Sequence, residues 1–255
     1  MDALNTNRLV IEDEGHCVRV VISRPHRKNS IDRATMQELG DCISALTERE
    51  DLRLFVLTGA DDIFVAGGDI KDLDTLDDGP AAEAMSQRMN EVLSAIEQLD
   101  CVTVAAINGD AIGGGCELAL ACDVRLVKDT ASLHFKQVLM GVTPGWGGGQ
   151  RLSRLIGPGK AAYLYGLGLS VSAAEALRLG IVDFVESDIG HRIAELRQIA
   201  ANVPPQALRL TKRAIREGKS LELAEAYSVE RSLFAESWVS DEHKRAVERF
   251  LARKK

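Results

Sequence analysis

The chain has 255 residues, of which 45% are hydrophobic, 27% are charged and only 4% are aromatic, and its formal net charge is −7. This length suffices for one large core built mainly from aliphatic side chains, with or without a small appendage. The acidic balance argues against a nucleic-acid partner, and no apolar run approaches the about 20 residues that cross a bilayer, so we expect no membrane contact. Five cysteines without a C-x-x-C pair predict reduced thiols and a cytoplasmic location.

Short apolar runs and amphipathic segments alternate along the first half of the chain. Two predicted strands surround a turn at Glu14-Gly15, and a helix capped by Asp32 carries apolar side chains at helical spacing up to Leu46. The acidic segment 69–80 is expected to be a mobile loop. The strands predicted in this half are 9–11, 18–22, 54–58, 102–107 and 124–127, and the other helices are 81–99 and 117–121.

The second half of the chain is almost entirely helical in its pattern. The helices predicted there are 146–156, 160–165, 173–179, 189–201, 205–217, 221–238 and 241–252. The alternation of strands and helices before this region favours crossover connections and therefore an α/β core. Spacing alone does not distinguish a spiral from a doubly wound sheet. A dinucleotide-binding fold is disfavoured because the G-x-G-x-x-G pattern is not met.

Glycine-rich turns follow two of the predicted buried strands. The turn 113–115 precedes a helix start, where unpaired N–H groups and the positive end of the helix dipole lie. A second glycine turn is 67–68, and a third glycine-rich run covers 145–149. Two such turns are suited to holding an oxygen that gains negative charge during a reaction. Glu117, beside the first turn, would move a proton or activate a water, which is a combination typical of enolate chemistry.

Five stretches of the chain, in order, carry a resemblance to a known family. They read SRPHRKNSI (23–31), LTGADDIFVAGGDIK (57–71), VAAINGDAIGGGCELALACD (104–123), MGVTPGWGGGQRLSRLIG (140–157) and LSVSAAEALRLGIVDFV (169–185). With these motifs the chain resembles the crotonase, or enoyl-CoA hydratase/isomerase, superfamily. The resemblance implies an α/β fold in which residues 1–200 form a spiral of ββα units that binds acyl-CoA. It also implies that residues 201–255 form a helical oligomerisation region that builds a homotrimer or a hexamer.

The resemblance further implies roles for individual residues in binding a coenzyme A thioester. The thioester carbonyl is expected between the backbone N–H groups of Gly68 and Gly114, with Glu117 as the catalytic carboxylate. Coenzyme A is part of the substrate, so neither a separate cofactor nor a metal ion is expected. The residues expected to contact the coenzyme A substrate are Arg27, Lys28, Ala66, Asp69, Ile70 and Lys71, with Arg253 and Lys254 as candidates for a neighbouring subunit's coenzyme A.

Gln137 stands where hydratases of the superfamily have a second catalytic glutamate, at a fixed spacing before Pro144. A glutamine orients a water through its amide, but it does not act as an acid or a base. Lys136 is a poor substitute, because adjacent residues on a strand point to opposite faces. Trp146 is interpreted either as packing at a helix start or as a substrate-binding wall of the acyl pocket.

Several functions remain open on these residues. The leading hypothesis is hydration of a 2-enoyl-CoA, with Glu117 as the only carboxylate and Gln137 holding the water. Gln137 and Trp146 together are also similar to the decarboxylating branch of the superfamily, which acts on methylmalonyl- or ethylmalonyl-type esters, since a second negative group would repel the substrate carboxylate. Isomerase and hydrolase chemistry are further alternatives. A non-catalytic protein that binds CoA or RNA belongs to another class, and the presence of Gly68, Gly114 and Glu117 disfavours it.

Overall fold

The computed structural model describes residues 8–252, which form two β-sheets surrounded by helices; Arg253 and Lys254 lie outside the described residues. The strands are β1 (Leu9–Asp13), β2 (Cys17–Ile22), β3 (Leu54–Gly59), β4 (Ile63–Val65), β5 (Val102–Ile107), β6 (Asp110–Ile112), β7 (Val124–Lys128), β8 (Ser132–His134), β9 (Ser170–Ser172) and β10 (Phe184–Glu186). The helices are α1 (Arg33–Thr47), α2 (Ile70–Leu73), α3 (Gly79–Gln98), α4 (Gly114–Ala119), α5 (Gly148–Ile156), α6 (Pro158–Gly166), α7 (Ala173–Leu179), α8 (Ile189–Ala201), α9 (Pro205–Gly218), α10 (Leu223–Trp238) and α11 (Asp241–Ala252). Short 3₁₀ turns cover Pro25–Arg27 and Gln137–Met140.

The chain passes back and forth between the two sheets. The larger sheet has the strand order β1-β2-β3-β5-β7-β10, and the smaller sheet has the order β4-β6-β8-β9. From β3 to α5, each strand of the larger sheet is followed by one strand of the smaller sheet and then by helix. The strands β3, β5 and β7 are parallel to one another, and so are β4, β6 and β8. This arrangement confirms the predicted α/β spiral of ββα units.

The centre of the larger sheet is buried on both faces. Along β3, Phe55 and Leu57 point into the main core, whereas Leu54 and Val56 pack in a second cluster with residues of α8. This alternation follows from the period of two along a strand. Since both faces are covered, β3 is a continuous apolar run, which is why the sequence predicted it as a buried strand.

The smaller sheet was missed by the sequence prediction. Each of its strands has only three residues, which is too short to show an alternating pattern. The predicted loop over 69–80 was wrong at both ends, because α2 covers Ile70–Leu73 and α3 begins at Gly79. The side chains of Asp69 and Asp78 cap these two helices. The helix predicted from Glu117 already begins at Gly114.

Helix α9 is fastened to the core by polar contacts. The buried Lys212 donates a 2.7 Å hydrogen bond to the carbonyl of Cys101 and lies 2.8 Å from the carboxylate of Asp123.

The large apolar side chains that α10 and α11 leave exposed are Leu223, Tyr227, Phe234, Trp238, Val247, Phe250 and Leu251. The boundary at residue 201 and the oligomerisation role of the last helices stay predictions. Among the helices described for residues 8–252, none combines the length and the apolar character needed to cross a membrane.

Candidate active site

Glu117 lies in the first turn of α4 and is only 2% exposed. Its Oε2 accepts two backbone hydrogen bonds of 2.8 Å, one from Trp146 and one from Gly148. Its Oε1 accepts one hydrogen bond of 3.0 Å from Nε2 of Gln137. Since Gly148 begins α5, the carboxylate occupies a helix N-terminus, where unpaired N–H groups favour an anion. Oε1 has fewer donors than Oε2, so Oε1 is the oxygen with a lone pair left for a ligand.

Two opposing effects set the protonation of Glu117. Burial raises the pKa of the carboxyl above its ordinary value, and the hydrogen bonds from Gly148, Gln137 and Trp146 offset part of this increase. A raised pKa brings a carboxyl closer to the range in which one group both takes and returns a proton near neutral pH. The third glycine run of the sequence supplies Glu117 with one of these donors, the N–H of Gly148.

Gly68 and Gly114 each present a backbone N–H that has no acceptor within residues 8–252. Gly114 is the first residue of α4, so its N–H has no partner inside the helix. Gly67 adopts a φ of +86°, which L side chains rarely take, and a Cβ added to Gly67 would lie 3.1 Å from the nitrogen of Gly114. The two glycine turns thus approach closely, as the prediction of two N–H donors for one oxygen requires.

The indole of Trp146 packs against both donor glycines. A Cβ added to Gly114 would overlap three atoms of the six-membered ring, and a Cβ added to Gly68 would lie 3.6 Å from Cζ2 of the indole. The backbone N–H of Trp146 binds Glu117 at the same time. Trp146 therefore extends from the carboxylate to the two donors and packs at the start of α5. Its role as a wall of the acyl pocket stays a prediction.

Two buried polar atoms near Glu117 have no hydrogen-bond partner among the described residues. They are Oε1 of Gln137 and the hydroxyl oxygen of Tyr165. The Tyr165 hydroxyl and Cγ of Glu117 both lie against Gly148. Burial raises the pKa of Tyr165 far above its ordinary value, so its hydroxyl stays protonated. Unpaired buried polar atoms are places where a water or a substrate group completes the hydrogen bonding. The sequence analysis missed Tyr165, because nothing distinguishes it within a helical segment.

Neither Lys136 nor His134 takes the place of a second catalytic carboxylate. The Nζ of Lys136 donates a 2.7 Å hydrogen bond to the carbonyl of Gly168. The Nδ1 of His134 lies 2.8 Å from the hydroxyl of Ser170, in the smaller sheet. Both side chains are therefore engaged elsewhere, and Glu117 keeps Gln137 as its side-chain partner.

The residues predicted to bind coenzyme A lie on two segments, 27–28 before α1 and 66–71 around Gly68. The carbonyl of Lys28 accepts a 3.1 Å hydrogen bond from the N–H of Ala66, so these two residues are adjacent. Lys28 has a φ of 51°, which fixes the end of its 3₁₀ turn. The exposed side chains of this region include those of Arg27, Lys28, Ile70 and Lys71. The structure thus leaves these four side chains accessible to a ligand.

Asp69 differs from its neighbours because its side chain is buried. Its Oδ2 lies 2.9 Å from Nη2 of Arg24, and its Oδ1 accepts a 3.3 Å hydrogen bond from the N–H of Lys71 at the start of α2. The carboxylate is therefore committed to contacts within the protein. Substrate contact by Asp69 stays a prediction for its backbone alone.

The chain is similar in sequence and in structure to known proteins. Residues 12–255 match the family model described as enoyl-CoA hydratase/isomerase. The chain is 33% identical to a short-chain-enoyl-CoA hydratase of Clostridium acetobutylicum, covering 99% of this chain and 97% of the relative. It is 34% identical to a crotonyl-CoA hydratase of Syntrophomonas wolfei, covering 97% and 96%. The crystal structure of an enoyl-CoA hydratase from Bacillus anthracis superposes with a TM-score of 0.91 at 31% identity, covering 96% of each chain.

A spiral of ββα units that brings two free N–H donors close to a buried carboxylate defines the crotonase class of fold. The family model matches residues 12–255, so sequence and geometry indicate the same family. The chain belongs to the enoyl-CoA hydratase/isomerase family. The predicted family and the prediction of an enzyme are confirmed, and the relatives support enoyl-CoA hydratase function, which is a hydro-lyase activity.

Proposed function

We propose that this protein adds water across the C2=C3 double bond of a 2-enoyl-CoA thioester, with Glu117 as the only carboxylate that moves protons. The observation that carries the proposal is the buried Glu117 with a free lone pair on Oε1, close to the unpaired N–H groups of Gly68 and Gly114. The names of the relatives, short-chain-enoyl-CoA hydratase and crotonyl-CoA hydratase, support it.

The proposed reaction uses the two donors and one carboxylate in sequence. Gly68 and Gly114 hold the thioester carbonyl oxygen, and one such donor is worth about 3 kcal/mol in a transition state. Glu117 takes a proton from water, the water oxygen bonds to C3, and the electron pair of the double bond moves to give an enolate. Glu117 then returns the proton to C2. The product is a 3-hydroxyacyl thioester, and the carboxylate is restored.

Gln137 has two separate tasks in this proposal. Its Nε2 donates to Glu117, which keeps the carboxylate oriented. Its Oε1, which is buried and unpaired among the described residues, accepts a hydrogen bond from the attacking water. The amide thus holds the water against Oε1 of Glu117 without taking part in proton transfer.

The proposal is tested by mass spectrometry of acyl-CoA esters incubated with the purified protein. The panel contains crotonyl-CoA, longer 2-enoyl-CoA esters, methylmalonyl-CoA and ethylmalonyl-CoA. We expect the enoyl esters to gain one water and the malonyl-type esters to stay intact. Loss of CO₂ from a malonyl-type ester, with no water added to any enoyl ester, would replace the proposal by decarboxylation, in which a neutral Gln137 does not repel the substrate carboxylate.

The dependence of kcat/KM on pH tests the single carboxylate. We expect kcat/KM for water addition to fall on the acid side with one apparent pKa, because Gln137 does not titrate. That pKa should lie above the about 4.3 of an ordinary glutamate, since burial raises the pKa of Glu117 and kcat/KM reports the free enzyme. The measurement is kcat/KM for crotonyl-CoA across the pH range in which the protein stays folded. A limiting slope of two in the acid limb would contradict it.

We also propose that Arg27, Lys28 and Lys71 face the phosphates of coenzyme A and that the carbonyl of Ala66 binds its adenine. The exposure of the three basic side chains and the contact between Lys28 and Ala66 support this arrangement. Charge-assisted bonds from lysine and arginine are well suited to phosphate groups.

The five buried free cysteines support a reducing, cytoplasmic compartment.

We further propose a homotrimer, or a hexamer of two trimers, built through the helical end of the chain. The large apolar side chains exposed on α10 and α11 support it, because monomers rarely expose contiguous apolar patches of this kind. Sedimentation equilibrium is the test, and a monomer at micromolar concentration would refute the proposal.

A further inference from the structure

A buried cluster of charges lies under the turn that carries Gly68. Arg24, Asp32 and Asp69 are only 8%, 8% and 7% exposed. The Nη2 of Arg24 lies 2.9 Å from Oδ2 of Asp32 and 2.9 Å from Oδ2 of Asp69. The Nη1 of Arg24 donates to the carbonyl of Ser30. One guanidinium thus joins the start of α1, the start of α2 and the loop between β2 and α1.

Backbone hydrogen bonds connect this cluster to the Gly68 donor. The N–H of Ile31 donates to the carbonyl of Gly67 over 2.8 Å, and the N–H of Asp69 donates to the carbonyl of Ile31 over 2.8 Å. Both neighbours of Gly68 are therefore bonded to a single residue of the other segment. The N–H of Gly68 itself stays free, so its direction depends on how these two segments lie relative to each other.

The charges of the cluster hold the two segments in that relation. Ile31 stands next to Asp32, and the side chains of Asp32 and Asp69 meet on the same nitrogen of Arg24. Hydrogen bonds between ionised groups are short and directional, so they fix geometry more tightly than apolar packing does. A buried ion pair contributes little net stability compared with apolar residues of the same volume. We therefore consider how this ion pair affects the geometry of the Gly68 turn rather than how much it stabilises the fold.

We propose that Arg24 is a positioning residue that, through Asp69, sets the direction of the Gly68 N–H toward the thioester carbonyl. The inference rests on the proposed function, because it requires Gly68 to bind that carbonyl. It gives the side chain of Asp69 a role that differs from the substrate contact expected from sequence. Displacing a catalytic group by about 1 Å costs on the order of 10²-fold in rate, so a small shift of this turn is measurable.

The experiment uses the variants Arg24→Lys and Asp69→Asn in the full chain. Lysine keeps the charge but loses the planar fork, in which Nη2 reaches both carboxylates while Nη1 donates to the carbonyl of Ser30. Asparagine at position 69 keeps an oxygen for the N–H of Lys71, while its amide no longer attracts Arg24. Arg125→Lys is the matched control, because Arg125 is also buried and pairs with Asp183 at 2.9 Å, and none of its side-chain hydrogen bonds joins a donor turn.

The readout is the absorbance of bound 4-(dimethylamino)cinnamoyl-CoA, a conjugated thioester whose spectrum moves to the red when its carbonyl is polarised. We expect a red shift in the wild type and in Arg125→Lys, and a smaller one in Arg24→Lys and Asp69→Asn. We also expect kcat for crotonyl-CoA to fall about 10-fold or more in these two variants, with a smaller change in KM. If Arg24→Lys does not fold, Asp69→Asn gives the same comparison, since Arg24 then keeps Asp32 as its partner.

The outcomes separate this inference from the proposed function. A lower melting temperature with an unchanged red shift in both variants would mean that the cluster only stabilises the fold, and it would overturn the inference alone. No red shift in the wild type would overturn the assignment of Gly68 and Gly114 to the carbonyl, and the inference with it. Water addition to crotonyl-CoA, measured in parallel, reports the proposed function independently of the probe.

Discussion

The variant Glu117→Gln is expected to lose about 10²–10⁴-fold in kcat for water addition, which is the range that general acid–base catalysis contributes. In the proposed mechanism no second carboxylate shares the proton transfers. Glu117 would both take the proton from water and return it to C2, and Gln137, its side-chain partner, would do neither. KM should change little, because the carbonyl donors at Gly68 and Gly114 are backbone groups that the substitution leaves in position.

The same substitution should not weaken the fold. A glutamine at position 117 still offers an oxygen to the N–H groups of Trp146 and Gly148, and the amide of Gln137 rotates so that its unpaired Oε1 accepts from the new amide. Because burial raises the pKa of Glu117, the folded protein binds more protons than the unfolded chain between the unfolded pKa and the raised folded pKa. Stability contributed by this residue therefore falls as the pH rises through that window, and Glu117→Gln removes the fall.

The measurements are steady-state kinetics with crotonyl-CoA and thermal denaturation at several pH values. Glu175→Gln serves as the control, because Glu175 is paired with Arg178 at the surface of α7, and the substitution should leave kcat unchanged. An unchanged turnover in Glu117→Gln would contradict every mechanism that uses this carboxylate. A large loss of thermal stability would instead mean that the ionised carboxylate holds α4 and α5 together.

The fold was predictable wherever a strand or helix is long enough for its apolar residues to show the spacing typical of that element. Strand β5 and helices α7, α8 and α11 have the predicted bounds, and the cap at Asp32 is confirmed by its hydrogen bond to the N–H of Thr35. The smaller sheet was not predictable, because its strands have only three residues each and pair with strands that are distant in sequence. Local pattern carries no information about such pairing.

Some features of the candidate site were predictable from the sequence and others were not. Glycine turns and the spacing of Glu117 and Gln137 are local features, so sequence motifs predicted them, and the structure joins the two side chains directly. The role of Gly148 as a donor to Glu117, the hydroxyl of Tyr165 and the ion cluster around Arg24 depend on contacts between distant segments. Burial decides those roles, and a single sequence does not reveal which polar side chains become buried together.

The variant Gly114→Ala is expected to reduce kcat by about 10²-fold and to destabilise the protein by about 1–3 kcal/mol. The new methyl group would overlap the six-membered ring of Trp146, which is only 4% exposed and has little room to move. Displacing the indole moves the backbone of Trp146, whose N–H binds Glu117. A single methyl group at the donor turn would therefore disturb the carboxylate as well as the donor.

The double variant Gly114→Ala/Trp146→Ala tests this explanation. Trp146→Ala alone should destabilise the protein by about 3–5 kcal/mol, because it leaves a cavity in the core. If the indole is what the methyl group meets, the double variant should be more stable than the sum of the single effects predicts, by about 0.5–3 kcal/mol. Gly159→Ala is the matched control, since nothing lies within 4 Å of its added Cβ, and it should leave both stability and rate nearly unchanged.

Strict additivity of the two substitutions would contradict the contact and would place the damage in the backbone of the turn itself. The rate offers a second comparison. Trp146 contacts both donor glycines and the carboxylate. If it also forms a wall of the acyl pocket, its removal should raise kcat/KM for longer enoyl esters relative to crotonyl-CoA, because a methylene in a hydrophobic pocket is worth about 10-fold or more. A recovered stability without this change in preference would mean that the indole only packs against the glycines. Recovery of both would mean that one side chain explains why glycine occupies position 114 and which acyl groups the site accepts.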